Sequence, residues 1–288
     1  FNGYDTSNIR PLYRGIAADM ELEFRLATKD PNGNCTDGIV RVYDIETENG
    51  TNNIKLKSVW PTDRYLNIWV VDDIVNFSSG LPGIAAYAQF PWAGQYATDG
   101  IISRNDQIGS IGTSRPSNAS TITHEIGHWI GLFHPFQGGC NNEDQVDDTP
   151  ACETRTSILS CDYNRNTCGQ GDTADLPDQI ENYMDYIEAT CQSMFTEGQK
   201  ARGHFMLENW RKVLWSQENL ERTGVADPYN YATQSGACAP VASFYARPAI
   251  GTFVTQFPSA CEGRVVNFVN NSYNVDLAGV TFNWEFEV

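Results

Sequence analysis

Three of the four histidines in this 288-residue chain lie within one stretch, residues 121–136, which reads TITHEIGHWIGLFHPF. His124 and His128 are four positions apart, so on a helix both imidazoles lie on one face, one turn apart, where they can bind one ion. Glu125 points to a neighbouring sector, where it can reach a water on the metal without binding the metal itself. The pattern therefore predicts a zinc-dependent hydrolase, although His-Glu-x-x-His alone also occurs by chance in ordinary helices.

The continuation of the motif narrows this prediction. Gly131 lies three residues after His128, and His134 lies three residues further on. Glycine can adopt positive φ and end the helix, and Pro135 cannot continue it, so His134 can return as a third ligand. Three neutral imidazoles with one open position are typical of catalytic zinc; the alternative is helix-face histidines with ordinary partners. We expect the fourth histidine, His204, to be structural or at the surface.

Strands and helices around the motif predict a sheet with helices packed on it. Alternating or β-branched residues predict strands at 20–28, 65–73, 83–90 and 100–103. A second helix is predicted within 195–215, where Thr196 and Gln199 form a capping box. Its expected apolar stripe consists of Ala201, Phe205, Trp210, Val213 and Leu214.

Residues 137–180 are rich in Gly, Asn, Asp, Thr and Cys and have no helical or strand period. Such a long irregular stretch needs disulfides or bound ions to hold it. The chain has 8 cysteines without a CxxC pair. This even, wide spacing indicates disulfides in an oxidising compartment; the alternative is free thiols in a reducing cytosol.

The formal net charge of -17 argues against a nucleic-acid partner, which would need a basic surface. The acidic balance fits either cation-binding loops, such as calcium sites, or simple solubility. No apolar run is long enough to span a membrane. The opening FNGYDTSNIR does not resemble a signal peptide, as expected of a mature or trimmed chain.

The composition predicts a domain at 1–223, a linker at 224–239 and a second, all-β domain at 240–288. VASFYA, RVVNFVNNS and VTFNWEFEV are the strand-like segments of this second domain. Since the sequence stops within the last of them, we expect this domain to be incomplete.

HEIGHWIGLFH resembles the extended zinc motif of the metzincin metallopeptidases, and ENYMDYI at 181–187 resembles their methionine turn. Together with VDDTP, FTEGQ and the upstream segments EFRLATKDPNGNCTDGIVRV, YLNIWVVD and YAQFPW, these motifs are similar to the pappalysin family over roughly residues 1–220. The resemblance implies an α+β fold: a metzincin catalytic domain with a twisted mixed sheet, an active-site helix and an irregular lower subdomain fastened by disulfides and calcium.

The resemblance also implies an activity, that of a secreted zinc endopeptidase acting on protein or peptide substrates. His124, His128 and His134 would bind zinc, and Glu125 would be the general base and then the proton shuttle. Met184 would form the hydrophobic floor under the metal. Tyr186 would donate a hydrogen bond to the tetrahedral intermediate.

The family binds calcium in the loop after the third histidine, here NNEDQVDDTPACE. By match, the ligands would be Asp144, Thr149 and Glu153 with backbone carbonyls near 146–147; the alternative is a solvated acidic loop. The disulfides implied by the family are Cys140–Cys168 and Cys161–Cys191. Cys238–Cys261 would then belong to the small domain, and Cys35 and Cys152 would be left to pair.

The sequence departs from the family in two places. Thr190 stands where the best-known members carry an aspartate that favours arginine after the scissile bond, and Glu188 is two residues away, so we do not expect arginine specificity. The family also has a further strand and helix before the region that matches Phe1. At the other end, residues 240–288 resemble a PKD-type immunoglobulin-like module, a kind of spacer or adhesion unit that implies cell-surface or matrix contact.

Two other function classes compete with the peptidase. One is a surface adhesion protein in which the metzincin domain is a non-catalytic scaffold, but an intact Glu125 argues against it. The other is a zinc hydrolase acting on a non-peptide amide, which the family resemblance makes less favourable.

Overall fold

The computed structural model describes residues 6–75, 83–94, 96–169 and 176–228, and the backbone of two strands at 244–248 and 266–270. The chain forms two units. The first comprises Phe1–Glu23 and Glu46–Lys212, and the second comprises Phe24–Ile45 and Val213–Val288. Within the described residues, no helix is long and apolar enough to cross a membrane.

The first unit contains the predicted elements of the catalytic domain. Its strands and helices, in chain order, are β1 (Ala17–Ala18), β2 (Ile68–Val71), β3 (Ala86–Ala88), β4 (Ile101–Arg104), α1 (Thr121–Trp129), β5 (Phe195–Thr196) and α2 (Glu197–Trp210). The second unit contains α3 (Gln217–Thr223), β6 (Phe244–Pro248) and β7 (Val266–Asn270).

A mixed three-stranded sheet of order β2-β4-β3 positions the site. Strand β2 is parallel to β4, while β3 is antiparallel to it and lies at the edge. The core on this sheet joins Ile102 and Val71 to Ile54 and Ile74, all buried. The strands predicted at 65–73 and 83–90 are thus confirmed in shortened form, and the strand predicted at 100–103 is confirmed with a shift of one residue.

The strand predicted at 20–28 is wrong. The described residues there form no strand, and Phe24 and Leu26 are 48% and 40% exposed. Alternation of apolar and charged residues creates a strand only where a partner strand supplies the ladder hydrogen bonds. Short β1, just upstream, instead pairs antiparallel with β5.

Helix α1 carries the first two histidines and ends as predicted. Gly131 has a φ of 89°, and a Cβ there would lie 2.7 Å from Met206 Cγ. The Leu132 N–H donates to the Gly127 carbonyl at 2.8 Å, which closes the last turn. Only glycine satisfies both the backbone conformation and the close packing.

Helix α2 begins with the predicted capping box of Thr196 and Gln199. Asp148 strengthens this end, since it accepts hydrogen bonds from Thr196 Oγ1 at 2.6 Å and from the Gly198 N–H at 2.8 Å.

The predicted apolar stripe of α2 is wrong. Phe205 and Trp210 are 58% and 57% exposed, whereas Gln199 and Gly203 are buried. A Cβ at Gly203 would lie 2.9 Å from Ile130 Cδ1. The helix therefore packs closely through a residue without a side chain, a contact that apolar periodicity does not report.

The irregular stretch after the motif is held by two disulfides, Cys140–Cys168 and Cys161–Cys191, the pairs that the resemblance implies. The expected pairing of Cys35 with Cys152 is wrong, because Cys35 is disulfide-bonded while Cys152 is a buried free thiol.

In the second unit, β6 and β7 form an antiparallel pair. The rest of the predicted module at 240–288, including VTFNWEFEV, and the predicted pair Cys238–Cys261 lie outside the described residues. The boundaries at 223 and 240 and the immunoglobulin-like fold of this module stay predictions.

Candidate metal centre and active site

The three histidines of the motif converge on one point. Among the described residues they are the one group of three or more His, Cys, Asp or Glu side chains placed to hold a metal ion, with ligand atoms within 4.8 Å of one another. His134 Nε2 lies 3.2 Å from His124 Nε2 and 3.0 Å from His128 Nε2. Ligands placed tetrahedrally at zinc–nitrogen distances of about 2.0–2.1 Å would be about 3.3 Å apart, so the spacing fits zinc.

The opposite ring nitrogens orient two of these imidazoles. His124 Nδ1 donates to the Tyr183 carbonyl at 2.7 Å, and His128 Nδ1 donates to the Leu132 carbonyl at 2.8 Å. A backbone carbonyl can only accept, so the proton lies on Nδ1 and the Nε2 lone pair faces the centre.

Burial keeps the three rings neutral. It lowers the pKa of His124 to about 3 and that of His134 to about 2, and the neighbouring histidines add to both shifts. Burial also lowers the pKa of His128. The His134 lone pair lies about 3 Å from the Nε2 atoms of the other two histidines, and such lone pairs repel unless a cation lies between them, so the donor set fits a bound metal ion.

Glu125 is 6% exposed, and its carboxylate accepts a hydrogen bond from the Ala88 N–H of the edge strand β3. Its Oε2 is buried and has no protein partner. Burial raises the pKa of Glu125 to about 8. One oxygen of the carboxyl group is thus held by a hydrogen bond, and the other is free. The group also has a higher affinity for protons than an exposed glutamate.

Met184 and Tyr186 follow the histidines in the sequence. Met184 contacts the helix that carries two of them, and Tyr186 contacts the histidine rings. Met184 is fully buried against Gly127 of α1. The Tyr186 ring centroid is 4.7 Å from that of His134 and 5.6 Å from that of His124.

Comparison with known families decides the assignment of this site. The peptidase M43 family model, described as "Pregnancy-associated plasma protein-A", matches residues 49–208. The chain belongs to the peptidase M43 family.

Two fungal M43 relatives illustrate the match. A protein named "Extracellular metalloprotease" from Verticillium alfalfae is 32% identical over 216 residues, which is 72% of this chain and 68% of that protein. One of the same name from Pyricularia oryzae is 39% identical over 140 residues, 47% of this chain. The chain spans about half the length of this second protein, 48%.

Two solved structures are also similar to this chain. Mature mirolysin of Tannerella forsythia, in complex with a cleaved peptide, has a TM-score of 0.62 and 29% identity over 77% of this chain and 84% of its own. Mirolysin in complex with compound 9 has a TM-score of 0.65 and 30% identity over 76% and 83%.

Sequence reasoning missed the ion pairs that hold the methionine turn of this M43 chain. Arg155 donates to Asp185 at 2.7 Å and to Asp178 at 2.8 Å, and all three side chains are almost fully buried. Arg10 binds Glu181 through Nε at 2.6 Å and Nη2 at 2.8 Å. The partners of these three ion pairs are 30, 23 and 171 residues apart, and no spacing in the sequence signals them.

The residues predicted to bind calcium in this M43 chain are only partly brought together. Thr149 Oγ1 lies 2.5 Å from Asp144 Oδ2 and 2.9 Å from the Val146 carbonyl oxygen. Burial raises the pKa of Asp144 to about 6. Glu153, by contrast, is exposed, and its backbone N–H donates to Thr167 Oγ1 at 2.9 Å.

Proposed function

We propose that this chain is a zinc-dependent endopeptidase that hydrolyses peptide bonds in protein or peptide substrates. The observation that carries the proposal is the convergence of three neutral Nε2 atoms, with His134 Nε2 at 3.0 and 3.2 Å from the other two, next in sequence to a buried glutamate with a free oxygen. The general base and the three metal ligands are then all supplied by residues 121–136, and the nucleophile is a water molecule.

His124, His128 and His134 would hold the zinc ion. When bound there, zinc lowers the pKa of a bound water toward about 7 and polarises the scissile carbonyl.

Glu125 moves the proton. Its free Oε2 accepts the proton of the attacking water, and the same oxygen then delivers it to the leaving amide nitrogen. Burial favours the protonated form in between, which suits a group that must both take up and release a proton near neutral pH. The Ala88 N–H holds the other oxygen, so the carboxyl group does not rotate away.

Tyr186 and Met184 shape the rest of the site. The phenol of Tyr186, beside His134, would donate a hydrogen bond to the oxyanion that forms at the scissile carbon. Met184, fully buried below α1, would give the histidines an apolar floor that excludes water from their lower side.

The names of the relatives and the disulfides support secretion of this protein. The curated relatives carry the name "Extracellular metalloprotease", and the disulfides Cys140–Cys168 and Cys161–Cys191 suit an oxidising compartment. A non-catalytic scaffold is not favoured, because such a protein has no need to keep a buried Glu125.

A structural calcium site is part of this proposal. Thr149 Oγ1 lies within 3 Å of both Asp144 Oδ2 and the Val146 carbonyl oxygen, so three hard oxygen donors are close together. A cation would stabilise the buried carboxylate at this position. A rise in Tm on adding calcium that is lost in Asp144→Asn would support the site. Cell-surface or matrix contact through residues 240–288 is proposed from the resemblance alone.

Digestion of casein with metal removal and replacement tests the peptidase proposal. We expect fragments to accumulate with the wild type, to stop accumulating with 1,10-phenanthroline, and to reappear when zinc is restored in the presence of calcium. If the zinc-loaded and calcium-replete protein leaves casein and gelatin intact, the proposal is wrong.

A further inference from the structure

The side chain of Gln192 bridges the methionine turn and the start of the active-site helix. Its Nε2 donates to the Asp185 carbonyl at 2.8 Å and to the Tyr183 carbonyl at 3.3 Å. These are the two carbonyls on either side of Met184. Its Oε1 accepts a hydrogen bond from the hydroxyl of Ser120.

Ser120 is used in an unusual way in this bridge. It is the N-cap residue of α1, a position where serine normally accepts a hydrogen bond from a backbone N–H of the first turn. Here it makes no capping hydrogen bond and donates to Gln192 instead. The helix end thus gives up a local hydrogen bond for a long-range one.

The backbone holds Gln192 in place for this contact. The N–H groups of Ser193 and Met194 both donate to the Glu181 carbonyl, at 2.8 and 3.0 Å, so this segment runs beside the methionine turn. The preceding residue, Cys191, is fixed by its disulfide with Cys161. The glutamine amide is therefore pre-organised and reaches the turn carbonyls at little further cost in conformational entropy.

The Tyr183 carbonyl links Gln192 to a metal-binding histidine. The same oxygen accepts the Nδ1 proton of His124 at 2.7 Å. A carbonyl oxygen has two lone pairs, so it can accept both donors at once. Its position decides the tautomer and the ring orientation of His124, and the amide of Gln192 restrains that position.

We propose that Gln192 is a positioning residue for the metal centre, acting on His124 through the shared Tyr183 carbonyl. This inference rests on the proposed zinc site. Without the Gln192 amide, the two carbonyls of the turn lose a donor, and the Tyr183 carbonyl can rotate away from His124. The Nε2 lone pair of His124 is then aimed less well at the ion, and zinc affinity falls.

Zinc affinity, measured by competition with a chromophoric chelator, tests the proposal in two variants. Gln192→Met keeps the length of the side chain and removes every hydrogen bond. Gln192→Glu keeps the acceptor for Ser120 but removes the donors to both carbonyls. Loss of the outer partners of a metal ligand weakens metal binding by about 10–100-fold. Because Gln192 is one hydrogen bond further from the metal than such a partner, we expect about tenfold weaker binding in both variants.

Asn67→Leu is the matched control. The Asn67 amide also spans two carbonyls, donating to Trp60 at 2.9 Å and to Tyr65 at 3.3 Å, in the loop before β2. Its loss should lower the Tm while leaving zinc affinity within about twofold of the wild type. A second readout is the exchange rate of the His124 Nδ1 proton in the zinc-loaded protein by NMR, which should rise in the Gln192 variants alone.

The outcomes separate this inference from the peptidase proposal. If the wild type binds no zinc, the proposed function itself fails. If the wild type binds zinc and both Gln192 variants bind it within twofold of the wild type, the positioning role is wrong. It is also wrong if Asn67→Leu weakens zinc binding as much as they do, since the effect would then be one of general stability.

Discussion

Met184 packs its thioether sulfur against Gly127, the one residue of α1 without a side chain, and a Cβ at Gly127 would overlap Met184 Sδ. Gly127 lies between the two histidines of the helix. The methionine turn can therefore approach the metal centre closely only because the helix has no side chain at this point. Met184 and the helix that carries His124 and His128 are fitted to each other.

Gly127→Ala should destabilise the protein by about 1–3 kcal/mol in urea unfolding, because an added methyl group in a packed core forces displacement. In an unstrained helix the same change would stabilise by about 1 kcal/mol, so the sign of the effect is decisive. Gly15→Ala is the control, since a Cβ at Gly15 would meet nothing within 4 Å. Combined with Met184→Ala, the cost of Gly127→Ala should largely disappear; additive costs would show that the two residues do not interact.

Arg155→Met should cost about 3–5 kcal/mol, since it leaves Asp185 buried without its cation and leaves Asp178 with the more distant Arg165, at 3.6 Å. Arg41→Met is the matched control, because Arg41 is 48% exposed in its pair with Asp37. A loss below about 1 kcal/mol for Arg155→Met in urea titrations would show that the methionine turn does not depend on this ion pair.

Lys55 gives a pH dependence of stability. It is 1% exposed, donates to the Thr98 carbonyl at 3.1 Å and lies over the rings of Trp69 and Tyr87. Burial lowers its pKa from 10.5 to about 8. Between these values the unfolded state binds more protons than the folded state, so folding stability contributed by this residue rises with pH.

The measurement compares wild type with Lys55→Met from pH 7 to 10.5 by urea unfolding. The free energy of unfolding of the wild type should increase relative to the variant by up to about 1.4 kcal/mol per pH unit above pH 8, and stay parallel to it below. A constant difference across the range would contradict the lowered pKa.

Thr190 bears on cleavage preference. It is exposed, with its Oγ1 3.7 Å from the sulfur of Cys161. In the family that this chain resembles, an aspartate at this position favours arginine after the cut. Because this chain has Thr190 there, we predict that wild-type fragments show no enrichment of arginine after the cut. Thr190→Asp should raise that preference about fivefold, the value of a partly exposed ion pair, whereas the uncharged Thr190→Asn should not. Mass spectrometry of casein fragments distinguishes these outcomes.

The sequence predicted the chemistry of this protein better than its packing. His124, His128 and Gly131 follow from helix geometry and glycine conformation alone, because both are local properties of the chain. The contact of Gln192 with Ser120 joins residues 72 positions apart, and no periodicity encodes it.

The failures have a common physical cause. The stripe containing Phe205 was wrong because α2 packs through Gly203, where the absence of a side chain is the determinant. The pairing of Cys35 with Cys152 was wrong because elimination says nothing about which sulfurs meet in space. Met184 was found only through resemblance, since a single methionine has no pattern of its own.

The most direct test of the account is Glu125→Gln beside the wild type, with zinc content and casein cleavage measured on the same samples. Glutamine keeps the size of the side chain but cannot take a proton. We predict equal zinc content in the two proteins and cleavage slowed at least about 100-fold in the variant, the usual contribution of a general base. Cleavage at the wild-type rate by zinc-loaded Glu125→Gln would contradict the central claim.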